Sequence, residues 1–190
     1  MILYGSTTSP YVRRIRILLA DHNYQFEAVN VYEDETRKRF AELTPIKKLP
    51  LLVDEGQTVF DSHVIAQYLL NKLDLPQPSV DELNLISVVD AATDALIILF
   101  MGERSGIATD KNKLIFKLQH ERLPDCLDWL NEQAKKGAFE TLSYATVALI
   151  SLIDWAEFRS LYNFSQWPEL KQAVEPYAQL PIVKSSYPHV

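Results

Sequence analysis

Past the segment Asp74-Leu75-Pro76-Gln77-Pro78-Ser79 the chain shows no apolar–polar alternation that reads as a strand, whereas before it strand-length apolar runs and helical spacings take turns. Two prolines one residue apart can neither continue a helix nor donate into a sheet, so the segment is a break. It divides the sequence into a mixed part, residues 1–75, and an all-helical part, residues 82–190. With 190 residues, 47% of them apolar, both parts can bury a core.

In the mixed part, Ile2-Leu3-Tyr4 is a short strand ended by Gly5, and Ser6-Thr7-Thr8-Ser9 is a polar turn before Pro10, which is placed to open a helix. Val12, Ile15, Leu18 and Leu19 share one face of that helix and Arg13 and Arg16 another. Residues 24–31 read as a second strand and residues 36–43 as a short charged helix. Leu49-Pro50 then opens the run Leu51, Leu52, Val53, with the proline at a strand entrance, where its missing N–H costs no ladder bond. Asp54 to Gln57 is turn chemistry and Thr58-Val59-Phe60 a second short strand, together a hairpin. Val64, Ile65, Tyr68 and Leu69 return to helical spacing, with Ser62 as the expected N-cap. The order βαβαββα implies a small mixed sheet with helices packed on it. A helix start at Asp61-Ser62 offers backbone N–H groups and a positive dipole end to an anion, and a carboxylate to a cation. That pairing suits the two charged ends of an amino acid.

The helical part begins with a densely apolar helix over residues 82–101, whose richest stretch, residues 91–101, is interrupted by Thr93 and Asp94 and falls short of the roughly 20 residues a bilayer requires. Residues 110–136 carry a helical pattern with Pro124 inside, predicting a kinked helix or two shorter ones. Ser143 is placed to cap a helix over residues 144–158, and Trp167-Pro168 introduces a last helix through Tyr177. A net charge of −6 supplies no basic field for nucleic acid. The start, MILYGSTTSP, has no charged segment followed by an apolar core and cleavage site, and a single cysteine, Cys126, forms no internal disulfide. The four histidines, His22, His63, His120 and His189, lack ligand spacing, so no metal is expected. The expectation is a cytoplasmic protein without membrane attachment.

Four stretches, taken in order, resemble the cytosolic glutathione transferases: MILYGSTTSPYVRRIRILL, TPIKKLPLLV, FDSHVIAQYL, and LSYATVALISLIDWAEFR followed by WPELKQAVEPYAQLP. The resemblance spans essentially the whole chain and implies a thioredoxin-like glutathione-binding domain followed by an all-helical bundle that supplies an electrophile pocket and dimer contacts. It further implies a homodimeric detoxification enzyme with glutathione as co-substrate. Asp61 and Ser62 would hold the γ-glutamyl end. Leu49, ahead of a cis-Pro50, would pair with the cysteinyl backbone as an added strand, and Lys48 would reach the glycine carboxylate. The thiol would face the start of the first helix, where a hydroxyl and the helix dipole lower its pKa. Ser9 is the first candidate for that hydroxyl, with Thr8 and Thr7 as rivals. Arg13 reads as a solvated helix charge close enough to add positive potential. The position before proline, where glutaredoxin-like relatives place a cysteine, is Ser9, which removes disulfide chemistry. The other reading that the resemblance allows is a non-catalytic binding or regulatory module. One departure is Thr146, where the family's buried helix carries an aspartate that returns a bond to the capping serine. A threonine there implies a cap weaker by about 0.5 to 1 kcal/mol.

Overall fold

The computed structural model describes residues 1–189. Contacts group them into two compact units, Met1–Gln77 together with the tail from Leu180 onward, and Pro78–Gln179. The tail, expected with the helical part, therefore packs on the first unit.

The first unit runs β1 (Ile2–Gly5), α1 (Pro10–Leu18), β2 (Gln25–Ala28), α2 (Asp34–Leu43), β3 (Leu51–Asp54), β4 (Gln57–Phe60) and α3 (Ser62–Lys72). This is the expected βαβαββα order and the thioredoxin-like arrangement. The sheet order is β2-β1-β3-β4, with β1 parallel to β2 and the other two pairings antiparallel. Successive residues on a strand point to opposite faces, so the register sorts the core. Leu3, Leu52 and Val59 lie side by side and are buried, as are Val12, Ile15 and Leu19 at α1 and Ile65 and Leu69 of α3. The alternate row Tyr4, Leu51 and Phe60 belongs to a separate cluster with Val29 and with Phe40 of α2. Gly5 permits the closest approach of helix to sheet, because a Cβ there would lie 2.4 Å from Val12 Cγ1.

At the far end of β3, Asp54 is 5% exposed, accepts from the Tyr68 hydroxyl at 2.7 Å and pairs with the Lys72 ammonium, and the Met1 amino group lies 3.7 Å away. Burial pushes the Asp54 carboxyl up. Hydrogen bonds from Lys72 and Tyr68 and the Lys72 charge together outweigh it and hold the carboxyl below its ordinary value.

The second unit contains α4 (Val80–Arg104), α5 (Leu114–Lys135), α6 (Tyr144–Phe158), α7 (Pro168–Val174) and a 3-10 turn, Glu175–Tyr177. The start of α4 precedes the expected residue 82 because Ser79 and Glu82 form a capping box: the Glu82 N–H donates to Ser79 Oγ at 3.2 Å, and the Ser79 N–H to Glu82 Oε2 at 2.9 Å. With 25 residues and a window of mean hydropathy 1.9, α4 is longer than expected and has the length and composition of a membrane span. Yet 44% of that window is buried in the protein, and α4 packs against α5 and α6, as a core helix does. Pro124 does not divide α5, since Leu123, Leu127 and Leu130 bury its face on both sides of the missing N–H. α7 stops short of Tyr177, and its continuation is the 3-10 turn containing Pro176. A further short helix, α8 (Pro181–Ser185), was not expected and lies in the tail.

The cap of α6 differs from expectation. Ser143 Oγ accepts from the Thr146 N–H at 3.3 Å, but Thr146 returns nothing to the Ser143 backbone. Its hydroxyl donates to the Thr141 carbonyl at 2.6 Å, and the Ser143 N–H goes to that same oxygen at 2.8 Å.

Candidate functional site

The sheet register brings three loops to one end. Tyr4 stands opposite Leu51, and Leu51 opposite Phe60. Because β3 runs antiparallel to both neighbours, the residues after β1, before β3 and after β4 all leave from this edge. They are the turn of residues 6–9, the pair Leu49-Pro50, and Asp61-Ser62. Adjacent strands lie about 4.8 Å apart, so the ends of β1 and β4 at this edge are separated by two spacings, about 10 Å. The positive dipole ends of α1 and α3 both follow loops that leave from this edge.

Ser9 is the N-cap of α1. Its φ of −89° and ψ of 126° are extended, its Oγ accepts from the Val12 N–H at 3.3 Å, and Pro10 follows as the first helical residue. The turn before it is internally bonded. Ser6 Oγ accepts from the Thr8 N–H at 3.3 Å and pairs with the Thr8 hydroxyl at 3.1 Å, while the Ser9 N–H donates to the Ser6 carbonyl at 3.2 Å. Thr7 turns away and donates to the His189 carbonyl at 2.9 Å. Among the described residues nothing accepts the Ser9 hydroxyl proton, whereas Thr8 and Thr7 both have partners.

The Leu49-Pro50 peptide bond is cis. Pro50 is buried, Lys48 is exposed, and the Leu49 side chain packs on the cluster of Val29, Phe40 and Leu51. Among the described residues no backbone partner takes the Leu49 N–H or carbonyl. Leu49 stands at a bend two residues ahead of β3, directly before the cis-proline.

The α3 cap is Asp61, one residue before the serine expected in that role. Asp61 Oδ1 accepts from the His63 N–H at 2.8 Å, and the Asp61 carbonyl accepts from the Ile65 N–H at 3.0 Å. Its φ of 76° with ψ of 137° is a conformation that favours glycine. Ser62, the first residue of the helix, is 5% exposed. The hydroxyl that the sequence assigned to capping is thereby displaced from it, and the second carboxylate oxygen of Asp61 is left for another donor.

Arg13 is not a solvated charge. It is 1% exposed and donates to the Val183 carbonyl at 3.0 Å and to Ser186 Oγ at 3.4 Å. The sequence carried no signal for these contacts, which join residues 170 or more positions apart. Cys126 is half-buried, and burial pushes its thiol up, leaving it a poor nucleophile. No group of three or more His, Cys, Asp or Glu among the described residues is arranged to hold a metal ion.

Residues 3–77 match the family described as the N-terminal domain of glutathione S-transferase. An uncharacterized GST-like protein of Escherichia coli strain K12, YibF, is 30% identical over 169 residues, which is 84% of this chain and 83% of that protein. Among solved structures, a glutathione S-transferase from Methylobacillus flagellatus KT with GSH bound superposes with a TM-score of 0.87 at 22% identity, covering 99% of each chain. A glutathione transferase family member from Pseudomonas fluorescens Pf-5 with bound glutathione gives 0.84 at 22% identity, over 100% of this chain and 99% of that one. At such identities the two structures bear on the fold.

Proposed function

The chain belongs to the glutathione S-transferase family, and on that footing we propose that it binds glutathione across the edge shared by β1, β3 and β4 and transfers its thiolate to a small electrophile. The observation that carries this reading is the row Tyr4, Leu51, Phe60, which brings the turn before α1, the Leu49-Pro50 pair and the start of α3 to one end of the sheet, across two strand spacings of about 10 Å. An extended tripeptide spans about that distance.

In this reading the γ-glutamyl carboxylate lies at the start of α3, bound by the Ser62 hydroxyl and backbone N–H, and the α-ammonium meets Asp61. Leu49 pairs through its N–H and carbonyl with the cysteinyl backbone, as a strand added to the sheet, and Lys48 meets the glycine carboxylate. The thiol then faces the start of α1. Ser9 is the hydroxyl that donates to it, because it gives its proton to no partner among the described residues while its oxygen stays anchored on the Val12 N–H, whereas Thr7 gives its proton to the His189 carbonyl. Thr8 is the weaker candidate, since its hydroxyl is shared with Ser6. A hydrogen bond and a dipole end both favour the thiolate over the thiol, which raises the nucleophile's population near neutral pH. In the transfer, the thiolate sulfur forms a bond to an electrophilic carbon, and the electron pair leaves with a displaced group or is protonated on an adjacent atom. We place the enzyme in the cytoplasm as a homodimer, with the electrophile held by the helical part. The glutathione bound in the structural neighbours supports the ligand.

Retention on immobilised glutathione tests the binding half, and turnover of Ser9→Ala tests the chemistry. Binding that survives Ser9→Ala with a large loss of turnover is the expected result. A protein that binds with no turnover of any electrophile would instead be a binding module, and damage by Thr8→Ala rather than Ser9→Ala would move the hydroxyl assignment.

A further inference from the structure

An arginine buried in a helix costs several kcal/mol unless oxygens meet its donors, and two of the oxygens that meet Arg13 come from the tail. Its Nη2 reaches the Val183 carbonyl at 3.0 Å and its Nε reaches Ser186 Oγ at 3.4 Å, both on or beside α8, and its guanidinium carbon lies 5.7 Å from the centre of the Tyr187 ring. Ser186 is fully buried. Two donors in a fixed fork, meeting two acceptors three residues apart, specify one seating of the tail on α1. From that anchor the chain continues to His189, whose carbonyl accepts the Thr7 hydroxyl at 2.9 Å. The tail is therefore fixed at two points, the buried side of α1 and the turn that leads into it.

The second point matters for the site. Thr7 sits between Ser6 and Thr8, whose mutual bonds shape the turn, and the Ser9 N–H closes it on the Ser6 carbonyl. Drawing Thr7 outward to the tail keeps its hydroxyl from competing for the Ser6 and Thr8 partners and sets the approach of the chain to Ser9. We propose that the segment from Leu180 to His189 is a strap that fixes the conformation of residues 6–9, with Arg13 and Thr7 as positioning residues: Arg13 seats the strap, and Thr7 couples it to the turn that aims the Ser9 hydroxyl. In the binding mode proposed above, neither residue contacts glutathione. The inference rests on the reading of Ser9 as the thiolate's donor for its effect on turnover, while the strap itself rests on the contacts alone.

The test compares full-length Thr7→Val, Thr7→Ser and Arg13→Lys with the unchanged protein by hydrogen exchange at the Ser9 and Val12 amides, and by steady-state turnover of a chlorodinitrobenzene with varied glutathione. Thr7→Val is expected to speed exchange of both amides about fivefold, the effect of one lost hydrogen bond. It should lower kcat with little change in KM for glutathione, and move the acid limb of the kcat–pH profile to higher pH. Thr7→Ser, which keeps the hydroxyl, should restore all three. Arg13→Lys should act like Thr7→Val, because an ammonium cannot reproduce the fork. Should Arg13→Lys not fold, Thr7→Val and its serine rescue decide the matter. Unchanged exchange in Thr7→Val would overturn the strap, and faster exchange with unchanged kcat would overturn its positioning role. If the unchanged protein neither binds nor uses glutathione, the proposed function fails, and the exchange measurements still judge the strap.

Discussion

Asp61 carries two loads that substitution can separate. It caps α3 through the 2.8 Å bond from the His63 N–H, and it does so at a φ of 76°, where a side chain is strained. The proposed function adds a third role, a negative charge for the glutathione ammonium. Asp61→Asn keeps the capping oxygen and tolerates positive φ, so stability should hardly change. Asp61→Ala keeps the strain and removes the cap, a loss of about 1 kcal/mol, which in a chain of this length lowers Tm by about 2–4 °C. Asp61→Gly gives up only a few tenths as a cap, and the relief of about 1–3 kcal/mol of strain offsets the extra entropy of its unfolded chain. The expected order of stability is therefore Gly at or above wild type, Asn close to it, and Ala lowest. Affinity should follow another order. All three substitutions remove the charge, and a hydrogen bond to a charged group is worth about 1.5–3 kcal/mol, roughly 10- to 100-fold in Kd. Thermal unfolding and calorimetric titration with glutathione on the same samples read both. An Asn variant that bound glutathione like the wild type would refute the ammonium contact, and an Ala variant as stable as Asn would refute the cap.

Gly5→Ala forces a methyl to within 2.4 Å of Val12 Cγ1 and should cost about 1–3 kcal/mol as α1 is pushed from the sheet; an unchanged Tm would show that the helix yields freely. Thr146→Asp is expected to lower Tm, because it removes the donor to the Thr141 carbonyl and sets a carboxylate in a fully buried place against that oxygen, at about 1–3 kcal/mol. A raised Tm would restore the reciprocal cap implied by the family resemblance. The depressed pKa of Asp54 means that its contribution to stability is complete above about pH 3.9, the ordinary aspartate value, and fades as pH falls through its lower folded value. Asp54→Asn should flatten that acid limb of the stability curve while lowering the plateau, and an equally steep limb in the variant would assign the acid sensitivity to other carboxylates.

The element order was legible because periodicity and punctuation agreed. Runs of three or four apolar residues bounded by Gly5, the turn at Asp54 to Gln57, and the prolines at 10, 50 and 76 left little room for another assignment. What failed were the ends of helices. The box at Ser79 and Glu82 starts α4 ahead of the dense apolar run that carries the helical signal. At α3 cap preferences hardly distinguish Ser62 from the Asp61 beside it, and the deciding quantity, a φ of 76° at Asp61, is set by how β4 hands the chain to the helix. Thr146 was expected to act locally, yet its hydroxyl is taken by a carbonyl five residues back.

The candidate site divides along the same line. Its binding half depends on backbone: two helix starts, the Leu49-Pro50 bend and a register, all consequences of local sequence and pairing. Such features can be read from one chain, since each needs only its own segment to be of the right type. The choice among Ser9, Thr8 and Thr7 needs more, because four hydroxyls in a row are chemically equivalent until something distributes their hydrogen bonds. In this structure the distribution depends on a carbonyl 182 residues away, and the tail that supplies it is seated by an arginine whose helical spacing matched an ordinary surface charge. Two facts that sequence reading treats as separate, a buried Arg13 and an uncommitted Ser9 proton, are on this argument one fact. If they are, any change that unseats the tail should reach the chemistry through Thr7 and leave the proposed glutathione contacts at Leu49 and Asp61 intact, and the split between kcat and KM becomes the measurement that distinguishes a strap from a merely stabilising tail.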